Sequence, residues 1–263
     1  MDNNHILSHI REDGVATVTL NRADVHNAFN DALIADMTDA LRRLGADDKV
    51  RAVVLRAEGK SFSAGADLGW MQKMANYGHD ENLRDASALA ELMRTLNFLP
   101  KPTVARVQGA AFGGGVGLAA CCDIAIASET AAFSLSEVRL GLIPSVISPY
   151  VVAAIGERAA RRYFLTAERF DAAEALRIGL VHQVVPAREI DAAVDAILAR
   201  LSEGGPAAQC AAKDLIFAVA HRPVDAALIH DTARRIANIR ASSEGREGLT
   251  GFLEKRKPAW TAR

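Results

Sequence analysis

The run Gln108-Gly109-Ala110-Ala111-Phe112-Gly113-Gly114-Gly115-Val116-Gly117-Leu118-Ala119-Ala120-Cys121-Cys122-Asp123 constrains this chain more than any other stretch. A β-rich segment, Thr103-Val104-Ala105-Arg106-Val107, enters a triple glycine and leaves it along an apolar run that predicts a buried helix. Glycines there let a ligand approach the backbone closely. The first turn of such a helix offers free N–H groups and the positive end of its dipole, a place for a ligand oxygen carrying negative charge. A site of this kind needs a proton carrier beside it, and Glu137 comes next in Phe133-Ser134-Leu135-Ser136-Glu137-Val138-Arg139-Leu140-Gly141.

The flanking pattern says what holds the run in place. Residues 6–10 and 15–20 alternate as two strands of a hairpin, joined at Glu12-Asp13-Gly14. Asn30 can cap a helix that puts Leu33, Ile34, Met37, Leu41 and Leu44 on one face and ends at Gly45. Arg51-Ala52-Val53-Val54-Leu55-Arg56-Ala57 predicts a buried strand after that helix, which makes the wiring β-α-β and the sheet largely parallel. This strand empties into the small-residue loop Ser63-Ala64-Gly65-Ala66-Asp67-Leu68, and ligands gather at the carboxyl ends of strands in open α/β sheets. A helix near 81–98 stops at Pro100 and Pro102, and Asp123-Ile124-Ala125-Ile126-Ala127-Ser128 reads as one more strand. From Pro149 the pattern turns helical, near 149–165, 171–178, 187–202, 206–220 and 223–253, with 180–185 alone resembling a strand. The Gly204-Gly205-Pro206 break divides a core over 1–200 from a helical region over 201–263 that has no closed core of its own, and an oligomer is expected.

Composition removes several classes of function. A net charge of −1 gives no attraction to nucleic acid or to an acidic membrane surface. No segment has the ~18 uninterrupted apolar residues of a membrane span, and Met1-Asp2-Asn3-Asn4-His5 lacks a basic stretch followed by an apolar one, so a cytoplasmic protein is expected. Three cysteines, two of them adjacent, form neither a disulfide framework nor a metal-binding pair, and no metal is expected. Cys121 and Cys122 read as small core residues. Gly115-Val116-Gly117-Leu118-Ala119-Ala120 matches the dinucleotide fingerprint, but the acidic residue due at the end of the next strand would have to be Glu129, too early, or Glu137, too late. No phosphate-binding Gly-x-x-x-x-Gly-Lys-Ser/Thr and no nucleophile elbow occurs.

What remains is a pair of loops. If the strands ending at Ala57 and Val107 are neighbours, one N–H from Ala64-Gly65-Ala66 and one from Gly113-Gly114-Gly115 can bind a single carbonyl oxygen. That arrangement is an oxyanion hole, able to stabilise a thioester enolate, with one donor worth ~3 kcal/mol. It needs no nucleophile, only a group that moves a proton, and Glu137 is the candidate. Taken alone, a glutamate opening a helical turn is an ordinary capping residue.

These residues resemble the crotonase superfamily, the enoyl-CoA hydratase/isomerases, from the N-terminal hairpin to Trp260. The matching motifs are Leu20-Asn21-Arg22 with Asn27-Ala28, Phe62-Ser63-Ala64-Gly65-Ala66-Asp67-Leu68, Gly109 to Asp123, Ser136-Glu137 with Gly141 and Ile143-Pro144, and Phe252-Leu253-Glu254-Lys255-Arg256. The resemblance implies an α/β fold, a crotonase-type spiral of β-β-α turns, with a C-terminal helical trimerisation region in a homotrimer or dimer of trimers. It implies oxyanion N–H groups at Ala66 and Gly114, with Glu137 as the acid/base. Coenzyme A, arriving as part of an acyl-CoA thioester substrate rather than as a cofactor, would lie along Asp24, Val25 and His26 and along Ala64, Ala66, Asp67 and Leu68. Phe252 and Lys255 would stand near its adenine end.

Hydratases of this family commonly carry two catalytic glutamates, and the first falls where this chain has Gly117. A single carboxylate suffices for Δ3-Δ2 isomerisation, whereas hydration then needs another group to place the water, with Ser136 or main-chain groups as candidates. The stretches 65–75, 136–150 and 155–163 are nonetheless similar to bacterial methylglutaconyl-CoA hydratases and their carboxygeranoyl-CoA relatives. That similarity implies hydration of a branched enoyl-CoA with a distal carboxylate, for which Lys73, Arg84 and Arg139 are the nearby cations. Besides the isomerase, the alternative of another class is a non-catalytic acyl-CoA binding or assembly protein.

Overall fold

The protein was analysed as a computed structural model that describes residues 5–261; Met1 to Asn4, read above for a leader, lie outside the described residues. The chain opens with the antiparallel hairpin β1 (Ile6–Ile10) and β2 (Val15–Leu20), pairing Ile6 with Leu20 and Ile10 with Ala16. Asn30 then caps α1 (Asp31–Ala46), its side-chain oxygen accepting from Leu33 N at 2.8 Å. The face predicted from the 3.6-residue period, Leu33, Ile34, Met37, Leu41 and Leu44, is buried. Next come β3 (Ala52–Ala57), the short β4 (Ser63–Ala64), α2 (Leu68–Met74) and α3 (His79–Asn97). They are followed by β5 (Thr103–Val107), β6 (Ala110–Phe112) and α4 (Gly114–Cys121), then β7 (Ile124–Ser128), β8 (Ala132–Ser134), a 3-10 turn at Glu137–Leu140 and α5 (Ser148–Thr166). The remainder is β9 (Phe170–Asp171), α6 (Ala172–Arg177), β10 (Gln183–Val185), α7 (Ile190–Glu203), α8 (Pro206–Val219), α9 (Ala226–Ala241) and α10 (Ser243–Leu253).

Three times in succession one strand joins a large sheet, the next joins a small one, and a helix leads back. The large sheet runs β1-β2-β3-β5-β7-β10 and the small one β4-β6-β8-β9, so the chain climbs as a spiral of β-β-α turns. This is the α/β architecture the resemblance implies. β3 and β5 are parallel neighbours, pairing Val53 with Thr103 and Leu55 with Ala105, which meets the condition set above for the two loops. Leu55, Phe62, Leu118 and Phe133 fill the space enclosed by the two sheets and their helices. The outer face of the large sheet is closed by α7, where Ile190, Val194 and Leu198 cover Val15, Val54, Val104 and Ile126. Burial of this kind stabilises each large aliphatic side chain by about 1.5–3 kcal/mol.

Three features depart from the sequence reading. The small sheet was not foreseen, because strands of two or three residues carry no readable period. The short α2 was likewise missed. The segment 223–253 is two helices, interrupted at Ser242, whose hydroxyl accepts from Gly245 N at 3.0 Å and caps α10. Cys121 and Cys122 lie buried in the core.

The last three helices hold to the spiral by a few specific ties. Lys213 on α8 reaches Asp123 at 2.8 Å, and Phe217 meets Phe98 with ring centroids 4.7 Å apart. Trp260 folds back so that its indole N–H donates to Glu203 O at 3.1 Å, while Arg51 donates to the carbonyls of Gly204 and Trp260. Between these ties the faces of α8, α9 and α10 bury little.

Candidate active site

The small sheet builds the site. Its register pairs Ser63 with Ala111 and Ala64 with Phe112, so Gly65 and Ala66 leave β4 alongside Gly113 and Gly114 leaving β6. Adjacent strands stand ~4.8 Å apart, which is the scale of separation between the two loop backbones. Consistent with this, the Cα of Gly65 lies 4.0 Å from where a Cβ on Gly113 would stand.

Phe29 fixes both loops at once. Its N–H donates to Gly65 O at 2.7 Å and its carbonyl accepts from Asp67 N at 2.8 Å, so the bridge between Phe29 and Ala66 leaves the Ala66 N–H unused. The Phe29 ring lies against Gly114, with Cε2 2.8 Å from an ideal Cβ there; a larger residue at 114 would push the ring away. Gly114 is the first residue of α4, so its N–H has no acceptor within the helix. Gly113 N–H, by contrast, is consumed by Ser134 O at 2.9 Å. Ala66 and Gly114 are thus two amides, one in each loop, that the backbone leaves to offer.

Glu137 faces them. It opens the 3-10 turn after β8, and its Oε1 lies 3.0 Å from the ideal Cβ position of Gly113. Its Oε2 is buried and has no hydrogen-bond partner. A buried acceptor without a partner costs free energy, so its presence asks for a ligand or substrate proton. Burial raises the proton affinity of the carboxyl above its ordinary value, and its own backbone N–H offsets this in part. The buried cysteines offer no competing chemistry: desolvation, the leading cause, pushes the Cys122 thiol up to about 12 and raises Cys121 well above its usual range.

The loop carrying Ala66 is braced from below. Asp67 accepts from Arg22 at 2.8 Å, and its other oxygen caps α2 through Gly69 N at 2.8 Å and Trp70 N at 3.2 Å. The Arg22 hydrogen bond, ahead of all other causes, holds the Asp67 carboxyl below its usual range. Asp67 is thereby committed to local structure, and what that position can offer a ligand is mainly backbone. Asn27, fully buried, donates to Glu58 O and Ser61 O and accepts from Arg22 N, clamping the segment that carries Asp24, Val25 and His26 against the second loop. His26 meets Ser61 Oγ at 3.1 Å, and its carbonyl accepts from Ala64 N.

Of the residues named from sequence, the structure gathers Ala64, Ala66, Asp67, Gly114 and Glu137 around one spot. Asp24, Val25 and His26 form an exposed strip adjoining it, and Leu68 is exposed at the start of α2. Phe252 and Lys255 are not brought there within this chain: both are exposed at the end of α10, which packs on α9 and α8. Sequence reasoning missed Phe29, Ile147 and the Arg22–Asp67 pair. Arg22 and Asp67 stood in the motifs Leu20-Asn21-Arg22 and Phe62 to Leu68 and Ile147 in the stretch 136–150, but nothing there signalled the pairing or the packing; Phe29 had no signal. Among the described residues no group of three or more His, Cys, Asp or Glu could hold a metal ion, and no helix is long and apolar enough to cross a membrane.

Comparison with known proteins bears on what such a site does. Residues 10–263 match the enoyl-CoA hydratase/isomerase family. Among solved structures, a Legionella pneumophila protein described as an enoyl-CoA hydratase/isomerase (crotonase) is 50% identical with a TM-score of 0.92, over 97% of this chain and 98% of that one. An enoyl-CoA hydratase from Shewanella pealeana is 47% identical with a TM-score of 0.94, over 97% and 96%. The short-chain-enoyl-CoA hydratase of Clostridium acetobutylicum is 34% identical over 257 residues, covering 97% of this chain and 96% of its own.

Proposed function

The chain belongs to the enoyl-CoA hydratase/isomerase family, and on that premise we propose that it hydrates the 2,3 double bond of a 2-enoyl-CoA thioester. The observation that carries this reading is Glu137: a half-buried carboxylate with one buried, unpartnered oxygen, set against a loop whose free amides can take a carbonyl oxygen. The thioester oxygen accepts from the N–H groups of Ala66 and Gly114. Glu137 takes a proton from water as the water oxygen bonds to C3, and the π electrons move onto the thioester oxygen as an enolate. The enolate collapses, C2 takes the proton back from Glu137, and a 3-hydroxyacyl-CoA results. Each amide is worth ~3 kcal/mol of transition-state stabilisation, and the positioned acid/base contributes ~10²–10⁴-fold.

The coenzyme A portion lies along Asp24, Val25, His26 and the Ala64 to Leu68 loop in this reading, with Phe252 and Lys255 approaching its adenine end, where a neighbouring subunit of a homotrimer or dimer of trimers supplies them. For the acyl group we favour a branched chain with a distal carboxylate, of the 3-methylglutaconyl-CoA type. The support is the motif similarity over 65–75, 136–150 and 155–163, and the exposed cations Lys73 on α2, Arg84 on α3 and Arg139 beside Glu137.

Gly117 favours a second reading, Δ3-Δ2 isomerisation by the single carboxylate. Purified protein given 2-enoyl-CoA and 3-enoyl-CoA in ¹⁸O-water separates the two. Label in the product of the 2-enoyl ester supports hydration; conversion of the 3-enoyl ester without label supports isomerisation. Turnover of neither ester would leave the acyl-CoA binding protein. A panel of carboxylated and plain enoyl esters then tests the distal carboxylate, which is expected to raise kcat/KM at least ~10-fold, as one charge-assisted hydrogen bond allows.

A further inference from the structure

Gly117 stands one helical turn beyond Gly113, its N–H bonded to the Gly113 carbonyl at 3.2 Å. Glu137 lies over Gly113. Over Gly117 lies Ile147, whose Cγ2 occupies the space of an ideal Cβ at 117 and whose own Cβ is 2.9 Å from that point, and Met93 Cε stands next at 3.3 Å. The 3-10 turn that carries Glu137 packs on α5, the helix that Ile147 opens, so the carboxylate and the isoleucine come to the start of α4 from the same side. Ile147 is 3% exposed, and its carbonyl accepts from Tyr150 and Val151 at 3.2 and 3.0 Å as the residue that opens α5.

We propose that Ile147 is a positioning residue for this reaction: it fills the side-chain space at 117, bars a second acid from that turn of α4, and shields that flank of Glu137 from bulk water while leaving the substrate side open to the reacting water, so that one carboxyl group both takes the proton and returns it. This rests on the reading of Glu137 as acid/base. The charged surroundings leave the task to the apolar wall. α4 carries no charged side chain; Asp67, on the neighbouring loop, is bonded to Arg22. The start of α5 offers only Tyr150, α3 offers Glu91 and Arg94 bonded to each other and Asp85 bonded to the Trp70 indole, and Arg139 on the turn of Glu137 itself is exposed. Desolvation heads the causes acting on Glu137, and no charged group stands among them.

The test compares wild type with Ile147→Val, Ile147→Thr and Ile147→Ala, reading the acid limb of kcat/KM and the ¹³C carboxyl titration of Glu137, assigned by its loss in Glu137→Gln. Both are expected to fall by about half a pH unit or more in Ile147→Ala as water reaches the carboxylate, and by less in Ile147→Val, with KM changed less than ~3-fold. Ile147→Thr, with the shape of valine and a hydroxyl, should fall at least as far as Ile147→Val. Gly117→Ala should destabilise the protein when Ile147 is present and be tolerated beside Ile147→Ala, the coupling expected of two groups in contact. A folded Ile147→Ala with the wild-type titration and acid limb overturns the proposal. If that variant does not fold, the valine and threonine variants decide by the same two readouts. Absence of turnover in wild type would defeat the hydratase reading, while the titration still decides the role of Ile147.

Discussion

Between β3 and α6 the chain buries Phe62, Phe133 and Leu118 completely, whereas α8 to α10 leave Ile216, Val224 and Phe252 at 63, 82 and 80% exposed. The spiral closes its own core, and with it the two loops and Glu137. The C-terminal helices are apolar without being covered. A soluble monomer rarely keeps a large apolar surface bare, so the contrast separates a self-sufficient catalytic body from helices that fit the oligomer proposed above.

Substitutions on the two sides should differ accordingly. Phe133→Ala, in the fully buried layer between the sheets, is expected to cost about 3–5 kcal/mol in denaturant unfolding. A loss below about 1 kcal/mol would mean that the spiral core is less closed than its burial indicates. Ile216→Ser on α8 with Val224→Ser in the loop before α9, both exposed, should change the unfolding free energy of the isolated chain by no more than about 0.5 kcal/mol per site. Sedimentation should show their effect instead, as weakened association. An unchanged oligomer would place the interface elsewhere.

The smallest effect lies within the spiral and has a definite sign. Because burial raises the folded-state proton affinity of Glu137, its ionisation opposes folding, and wild type loses stability relative to Glu137→Gln as pH rises through the folded-state value. The Gln variant should therefore melt higher by about 1–3 °C at pH 8, and the gain should vanish below pH ~4, where the carboxyl is protonated in both states. A gain that persists in acid would assign it to something other than desolvation.

The long elements were legible because they carry a period. The hairpin, the face of α1 and the strands ending at Ala57 and Val107 show it plainly, and their adjacency follows from β-α-β wiring. The small sheet that pairs Ala64 with Phe112 was not, since its two- and three-residue strands are held by neighbouring strands and by the loops that leave them rather than by any pattern of their own. The candidate residues Ala66, Gly114 and Glu137 could be named from motifs. The reason Gly117 is glycine could not be, because Ile147 is thirty residues away and reaches it only once α5 docks on α4. Phe252 and Lys255 stand exposed at the end of α10, apart from the loops.

The account turns on whether the half-buried carboxylate at 137 carries the proton. Turnover of a 2-enoyl-CoA by Glu137→Gln, set against wild type at equal folded concentration by circular dichroism, tests this most directly. A fall of about 100-fold or more with the fold retained is the predicted result. Turnover within a few-fold of wild type would contradict it.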